Sequence, residues 1–428
     1  MTAMARVWVF FVVTNLLTRG AHGASVFRHK WKTVADLMGM HGQGGSAAPA
    51  AIDFAANHYG MITTAAPCKS TSPFTIEDGT LALARELKAA NPTTLVGMYW
   101  RTDFVGEIAR CSNFTAELKA TGDTLFLRDD NGNLVLEHGH AVMWDYTNKA
   151  GVDLFSRALV NVVNRTLRNG APVLDYLFLD GPDWQTLPNI SLARNDRLRA
   201  AKMSFFADLQ VKFDALPGGR NIILNGVDTV ETAQLFNPTG AGGVMVDHWT
   251  ILQFLLTGEP MDTDKCSVKP PDICGHFNLT AMDALITLVR SQLLSNMTMQ
   301  IKGWVGPVIS QPGKWPTQMH TPTPGVERQR AMAERFNSEL AFFLLVAEDH
   351  MWWLYSWFWG FDSFVPGQRD SDVPTGFFPE AQCELGSPTG APTRKPGTWT
   401  YTREYEHASV FVDLTNRTAS HVRFTGRC

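Results

Sequence analysis

Short apolar runs alternate with longer amphipathic stretches along most of this chain. The apolar runs predict strands over residues 60–65, 95–100, 141–145, 176–180, 222–225, 243–247, 299–304 and 351–357. Apolar residues at helical spacing predict helices over 79–90, 150–168, 196–215, 229–236, 279–296 and 326–346, with a weaker one over 114–120. This alternation is typical of a parallel sheet wrapped in helices.

Eight strand and helix units over about 330 residues are a usual size for a (β/α)8 TIM barrel with extended loops. We therefore predict such a barrel, of the α/β class, over residues 25–360. A doubly wound open sheet is the alternative. No G-x-G-x-x-G sequence follows the first predicted strand, which disfavours its nucleotide-binding version.

The composition changes near the end of the barrel. Residues 360–397 are rich in Pro, Gly, Ser and Thr, which is typical of a linker or a long irregular connection. Residues 398–405, 408–414 and 420–424 then alternate in the manner of strands. We expect residues 361–428 to form this linker and a small C-terminal antiparallel β unit.

The first residues have the pattern of a signal peptide. An apolar run over residues 7–17 follows Arg6, and small residues stand at 21–24, so we expect residues 1–24 to be removed. The run is shorter than the roughly 20 residues that span a bilayer, although an uncleaved anchor is the alternative. The protein is therefore expected to be secreted or to enter an endomembrane lumen, without stable membrane insertion.

Two further residue patterns agree with secretion. N-glycosylation sequons stand at Asn113, Asn164, Asn189, Asn278, Asn296 and Asn416. The cysteines Cys68, Cys111, Cys266, Cys274, Cys383 and Cys428 are expected to form disulfides, and their order suggests bonds between near neighbours. Six cysteines allow fifteen connectivities, so the pairing stays open. Their spacing fits no zinc site, and we expect no metal and no cofactor.

The composition excludes some function classes. The chain has 428 residues, of which 45% are hydrophobic and 18% are charged, so it is expected to be globular. Its formal net charge is -4, and its pI is near 6.3. Because no excess of Lys or Arg is present to neutralise phosphates, nucleic acid is not an expected partner.

Carboxylates stand where two predicted strands end. Asp180 ends the fourth apolar run and precedes Gly181, and Asp247 ends the sixth in the same way. A TIM barrel places its active site at the carboxyl ends of its strands, and a charge there must face a polar pocket or a partner. Both are therefore candidate catalytic residues, although Asp180 could cap a turn and Asp247 could form an ion pair.

Aromatic and polar residues accompany these carboxylates at several strand ends. Sugar rings stack on aromatic faces while carboxylates act on the glycosidic bond, so this combination favours a carbohydrate site. Asp145 could equally cap the helix that follows it. The candidate substrate-binding residues are Trp100, Arg101, Trp144, Asp145, Asp183, Trp184, Asn225, His248, Trp249 and Trp304.

Several short motifs resemble those of a glycosyl-hydrolase TIM-barrel family, similar in layout to α-galactosidases and α-1,4-polygalactosaminidases. The residues that carry the resemblance are WDYTN at 144–148, DYLFLDG at 175–181, LRDDNG at 127–132 and the terminal segments 385–390, 401–406 and 410–412. In retaining α-glycosidases of this layout, an Asp ending strand four is the nucleophile and an Asp ending strand six is the acid and base. The resemblance thus implies these roles for Asp180 and Asp247.

The hypothesis is hydrolysis or transglycosylation of an O-glycosidic bond in an oligosaccharide, polysaccharide or glycoconjugate. The two carboxyls should lie about 5 Å apart in a retaining enzyme and roughly 6.5 to 9.5 Å apart in an inverting one. The alternative is a carbohydrate-binding extracellular glycoprotein that has lost its catalytic pair. A less favoured third hypothesis is a metal-assisted hydrolase that uses Asp180, Asp247 and His248.

Overall fold

The structure is a computed structural model of the whole chain. It describes residues 26–29, 31, 33–40, 49–64, 74–103, 105, 111–137, 141–182, 186–227, 229–247, 279–304, 325–356, 378–416 and 419–426. The predicted signal peptide, residues 1–24, lies outside these ranges, as does much of the predicted linker. Within the described ranges, none of the helices has the length and apolar character needed to cross a membrane.

Eight parallel strands close into a barrel, which confirms the predicted fold class. The strands are β1 (Ala35–Met40), β2 (Met61–Thr64), β3 (Leu95–Arg101), β6 (Tyr176–Asp180), β7 (Asn221–Asn225), β8 (Gly243–Val246), β9 (Thr298–Trp304) and β10 (Met351–Ser356). Around the barrel the order is β1, β10, β9, β8, β7, β6, β3 and β2. The sheet therefore has no open edge.

Helices connect the strands along the outside of the barrel. They are α1 (Pro49–His58), α2 (Ile76–Ala90), α3 (Thr115–Thr121), α4 (Lys149–Val163), α5 (Leu192–Asp214), α6 (Val230–Phe236), α7 (Leu279–Val289) and α8 (Gly325–Val346). Polar caps fix several of their starts. The Asn148 side chain, for example, accepts the backbone N–H groups of Ala150 and Gly151 at the start of α4.

Two strand predictions need correction. The first barrel strand, β1, was not predicted, because the buried charge of Asp36 interrupts a short apolar run. The Gln300 side chain donates to that carboxylate at 2.8 Å. The predicted third strand, 141–145, is not in the barrel, because Ala141–Val142 (β5) forms a hairpin with Leu136–Glu137 (β4). Tyr176–Asp180 is still the fourth barrel strand, and Gly243–Val246 is the sixth.

Alternation along the strands separates two apolar layers. The larger layer lies between the barrel and the helices. The smaller fills the barrel interior and comprises Met61, Tyr176, Phe178, Ile223, Met245, Trp352 and Leu354. A side chain two residues further along such a strand faces the same interior, which places polar strand-end residues above this apolar filling.

The segment at residues 26–29 packs against the interior filling. Phe27 packs against that apolar cluster, and its ring centroid is 6.0 Å from that of Tyr176. The backbone N–H of Phe27 donates to Thr298 Oγ1 at 2.8 Å, at the first residue of β9. This segment therefore covers the end of the barrel at which the strands begin.

The C-terminal residues form a four-stranded antiparallel sheet, in agreement with the predicted β unit. Its strands are β11 (Thr393–Arg394), β12 (Thr400–Glu404), β13 (Ala408–Asp413) and β14 (His421–Phe424). Arg403, with 1% of its side chain exposed, donates to the carbonyls of Leu344, Leu345 and Ala347. Those carbonyls belong to the end of α8, so the sheet is attached to the barrel through a helix terminus.

Candidate active site

Polar side chains from adjacent strands meet at the carboxyl end of the barrel. Arg101 pairs in register with Asp180, and Leu179 pairs with Leu224, which places Asn225 beside Asp180. On the next strands Val246 pairs with Ile301, so the residues that follow them are neighbours too. The sheet register therefore gathers the ends of five strands, β3 and β6 to β9, around one point.

Asp180 is held by three hydrogen-bond donors. The Tyr99 hydroxyl donates to Oδ2 at 2.5 Å, and the Asn225 side-chain amide donates to Oδ1 at 2.8 Å. The backbone N–H of Gly181 also donates to Oδ1, at 2.9 Å. The residue remains partly exposed. Its carboxylate is thus fixed in direction while solvent or a ligand can still reach it.

Asn225 joins the two predicted catalytic residues. The same Nδ2 that donates to Asp180 also lies 3.4 Å from Asp247 Oδ2, and Asn225 is only 8% exposed. Because one nitrogen contacts both groups, the two bonded carboxylate oxygens are at most about 6 Å apart. The structure therefore brings Asp180, Asp247 and Asn225 together, as a shared active site requires.

Asp247 has a cationic neighbour that the sequence did not identify. Lys302 Nζ lies 3.3 Å from Asp247 Oδ1, and the two side chains are 0% and 3% exposed. The ion pair considered as an alternative for Asp247 is therefore present. It lies within the polar cluster, on the side of Asp247 opposite to the oxygen that contacts Asn225.

Arg101 and Asp103 form a second ion pair beside the first carboxylate. Arg101 Nε donates to Asp103 Oδ1 at 3.0 Å, and its Nη2 donates to the other oxygen. Burial acts to lower the pKa of Arg101, but its hydrogen bond with Asp103 and the charges of Asp103 and Asp180 raise it overall. The guanidinium is therefore a permanent positive charge next to the nucleophile candidate.

Gly181 is required by both its conformation and its surroundings. Its φ is +62°, and an added Cβ would lie 2.7 Å from Asp103 Cγ. Glycine alone therefore lets the chain turn after Asp180 and approach the second carboxylate this closely.

Three of the predicted substrate-binding residues lie elsewhere. Trp100 is 3% exposed and packs in the outer apolar layer, and Trp144 stacks on Phe155 of α4 with 2% exposure. Asp145 accepts the backbone N–H and the hydroxyl of Thr147, in the turn before α4. These two tryptophan rings thus contribute to packing, while Asp145 has the local turn role considered for it.

The remaining predicted substrate-binding residues fall mostly outside the described part of the chain. Asp183, Trp184, His248 and Trp249 lie outside it entirely, and for Trp304 the structure describes only the backbone, which pairs with Ser356 at the end of β9. Their roles stay predictions.

Sequence reasoning missed Tyr99, Asp103 and Lys302 as members of the site. Tyr99 and Lys302 stand two residues before a strand terminus, at Arg101 and at Trp304. The alternation of strand side chains, counted back from each terminus, would have found both. Asp103 carries no comparable signal, because its position depends on the turn after β3. Among the described residues, no group of three or more His, Cys, Asp or Glu side chains could hold a metal ion.

The comparisons with known proteins return structural similarities only. No family model matches the chain, and no curated protein matches it. The glycoside hydrolase domain of PelA from Pseudomonas aeruginosa is 12% identical, covering 76% of this chain and 96% of that chain, with a TM-score of 0.40. The maltogenic α-amylase AmyB from Thermotoga neapolitana is 10% identical, covering 88% and 84%, with a TM-score of 0.46. The family 5 glycoside hydrolase PbGH5A from Prevotella bryantii is 11% identical, covering 84% and 99%, with a TM-score of 0.45. The structures that this chain resembles thus include glycoside hydrolases, and at these values none of them assigns a role to a residue here.

Proposed function

We propose that this chain is a glycoside hydrolase that cleaves an O-glycosidic bond with Asp180 as nucleophile and Asp247 as general acid and base. The observation that carries the proposal is the Asp180–Asn225–Asp247 arrangement at the ends of the fourth and sixth barrel strands. The two oxygens bonded to Asn225 are at most about 6 Å apart, which is compatible with the roughly 5 to 5.5 Å between the carboxyl groups of retaining enzymes. The reaction should therefore proceed with retention of anomeric configuration.

The two carboxylates differ in exposure and in hydrogen bonding, which suits them to different roles in the reaction. Asp180 is partly exposed and oriented by three donors, so its oxygen can attack the anomeric carbon. As the bond from that carbon to the leaving oxygen breaks, Asp247 gives a proton to the oxygen. Water then transfers a proton back to Asp247 and attacks the same carbon, which releases Asp180. A sugar hydroxyl in place of water would give transglycosylation.

Asn225 keeps the pair functional. Two carboxylates that share a site tend to share one proton, which would leave the nucleophile protonated for part of the time. The amide of Asn225 donates to both and so occupies the space between them with a positive dipole. Arg101 adds a permanent positive charge next to Asp180 and would also contact the hydroxyls of a bound sugar.

We also propose that the chain is secreted as a disulfide-containing glycoprotein. All five sequon asparagines within the described residues are exposed, namely Asn113, Asn164, Asn189, Asn296 and Asn416, while Asn278 lies outside them. Cys111 and Cys383 are each disulfide-bonded, and Cys68, Cys266, Cys274 and Cys428 lie outside the described residues. Release into the medium of secreting eukaryotic cells, with a loss of mass on enzymatic removal of N-glycans, would support this part. Retention of the whole product inside the cells would contradict it.

The test of activity is hydrolysis of a panel of aryl α- and β-glycosides and of galactose- and amino-sugar-containing polysaccharides. Wild type is compared with Asp180→Asn and Asp247→Asn, each checked for folding by circular dichroism. We expect kcat/KM to fall at least about 100-fold in Asp180→Asn on every substrate, and in Asp247→Asn on the substrates whose leaving group needs a proton. Proton NMR of the first-formed product should show the anomer of the substrate.

Chemical rescue separates the two roles. With azide and an activated aryl glycoside, Asp180→Gly should yield a glycosyl azide of inverted configuration, and Asp247→Gly one of retained configuration. If no substrate is hydrolysed and sugars bind equally to wild type and both Asn variants, the chain is the carbohydrate-binding protein of the alternative hypothesis.

A further inference from the structure

Lys302 is the most deeply buried charge in the site. It lies on β9, and its side chain is 0% exposed. Gln300, two residues earlier, faces the barrel interior, where its amide donates to Asp36 Oδ2. Lys302 therefore faces the same interior, and its ammonium lies 3.3 Å from Asp247 Oδ1. The strand register places Asp247 and Lys302 side by side, since the residues before them, Val246 and Ile301, are direct partners.

A buried ion pair is a poor means of stabilising a barrel. Removing both charges from water costs more than their attraction returns in many proteins, and an apolar pair of similar volume is often as stable. An ammonium beside a carboxylate has a chemical consequence, however. It places a transferable proton 3.3 Å from a carboxylate oxygen. The proposed acid must supply a proton when the substrate arrives, and an ammonium at this distance is a source of one.

We propose that Asp247 and Lys302 form one proton-sharing unit, in which Lys302 stores the proton that Asp247 delivers to the leaving oxygen. This inference rests on the proposed glycosidase function. Lys302 does not touch the substrate, so it is a positioning residue that acts through Asp247. Lysine suits this task because a buried ammonium can lose its proton, whereas an arginine cannot.

The proton and electron pairs balance over the two steps. In the first, an Asp180 oxygen forms a bond to the anomeric carbon, and the bond from that carbon to the leaving oxygen breaks. A proton moves from Asp247 to the leaving oxygen while one moves from Lys302 Nζ to Asp247, so Lys302 becomes neutral. In the second step water forms its bond to the carbon, Asp180 leaves as a carboxylate, and the water proton returns through Asp247 to Lys302.

The charges around the unit favour this sequence. Asp180 and Arg101 face the cluster from β6 and β3, Asp103 follows β3, and Asp36 lies deeper in the interior on β1. When Asp180 becomes an ester it loses its negative charge. The affinity of the neighbouring groups for a proton then falls. The unit therefore releases its proton as the nucleophile is consumed. It regains the proton when the Asp180 carboxylate returns.

The test compares Lys302→Arg with wild type on two substrates of the same sugar. A dinitrophenyl glycoside releases a leaving group that needs no proton, and a methyl glycoside releases one that does. Arginine keeps the positive charge but does not give up its proton at working pH. We expect kcat/KM on the methyl glycoside to fall by about 100-fold or more, and on the dinitrophenyl glycoside by less than about 3-fold.

Lys88→Arg is the matched control. Lys88 forms another buried pair, 2.6 Å from Asp175 Oδ2, and Asp175 directly precedes β6, at the opposite end of the strand from Asp180. A purely structural effect of the larger guanidinium should lower activity on both substrates by the same factor. That uniform pattern is expected for Lys88→Arg. If Lys302→Arg gave the same uniform pattern, or kept its activity on the methyl glycoside, the inference would be overturned.

Two measurements keep the inference testable if Lys302→Arg does not fold. Lys302→Met removes the ammonium beside Asp247, so the alkaline limb of its pH profile on the methyl glycoside should lie more than about one pH unit below that of wild type. In wild type itself this limb should have its midpoint above about pH 7.5, and a midpoint below that value would contradict a lysine-held proton. If wild type hydrolyses no glycoside, or keeps its activity in Asp180→Asn, the proposed function fails, and the inference fails with it. Any of the other adverse results overturns the inference alone.

Discussion

Asn225→Asp tests the geometry of the site without any knowledge of the substrate. It replaces the donor shared by Asp180 and Asp247 with a third carboxylate. The wild-type distances of 2.8 and 3.4 Å place the new charge about 3 Å from both neighbours. Two unit charges at about 3 Å repel by about 5 kcal/mol at an effective dielectric constant near 20. Taking up a proton costs less than this, so we expect the new carboxyl to be protonated in the folded protein.

The expected penalty has a definite size and pH dependence. Crowded carboxylates raise the pKa of one member by about 2 to 3 units, and each unit is worth about 1.4 kcal/mol. The folded-state pKa at position 225 is thus raised above the unfolded value of about 4. Below about pH 4 the new carboxyl is protonated in both states, so this penalty is absent. As the pH rises from 4 towards the folded-state pKa, the variant loses stability. Between pH 4 and pH 7 its free energy of unfolding should fall by about 3 to 4 kcal/mol more than that of wild type.

The assay is urea unfolding of wild type, Asn225→Asp and Asn225→Leu between pH 4 and 7. Leucine removes the donor without adding a charge, so it should cost about 1 to 2 kcal/mol, and its cost should grow less with pH than that of the Asp variant, because two carboxylates are crowded together rather than three. If the difference between the Asp and Leu variants did not grow with pH, position 225 would not face two carboxylates. The site described here would then be wrong.

Two further predictions concern stability away from the site. Arg403→Met should lower the free energy of unfolding by about 3 to 5 kcal/mol, because it removes a buried charge that pairs with Glu348 and satisfies three carbonyls at the end of α8. Arg423→Met, on the exposed face of the same sheet, should change it by less than about 0.5 kcal/mol when both are measured in urea. Burial lowers the pKa of His29 to about 4. As the pH falls from about 6.5 to 4, the unfolded chain therefore takes up a proton at this histidine that the folded chain does not. The free energy of unfolding should fall by about 3 kcal/mol over this range. His29→Gln can keep the hydrogen bond to the Met351 carbonyl, and an unchanged fall in that variant would show that another group is responsible.

The sequence predicts seven of the eight barrel strands because each is a short, mostly apolar run. It fails at β1, where the interior position that should be apolar holds Asp36, and the partner that makes this tolerable is Gln300 on β9, 264 residues away. At 141–145 the error is the opposite one, because a barrel strand is predicted where none exists. The apolar run there, followed by Asp145, has the same pattern as the true strands. There Trp144 stacks on Phe155 of α4, and Ala141 and Val142 pair in register with Glu137 and Leu136 of a local hairpin.

The same limit applies to the site. Asp180 and Asp247 could be predicted because a charge at the end of a buried run is unusual whatever surrounds it. The role of Trp144 could not be predicted. A tryptophan next to a carboxylate gives the same sequence pattern whether its ring stacks on a sugar or, as here, on Phe155. Lys302 was not predicted because its role depends on its contact with Asp247, which follows the neighbouring strand β8. Residue type at a strand end is local information, whereas pairing is a property of the closed sheet.

The two ends of the barrel differ in the polarity of their inward-facing side chains, and this difference bears on the direction of substrate entry. Where the strands begin, Met61, Tyr176 and Trp352 fill the interior, and Phe27 packs against them from residues 26–29. Where the strands end, side chains of the same inward-facing set are Asp180 and Lys302, each of which costs free energy to remove from water. An apolar layer of similar volume is often as stable. Buried charge is kept at one end, and packing is completed at the other. A ligand therefore gains from binding at the polar end, and the proposed sugar substrate should enter from the carboxyl ends of the strands.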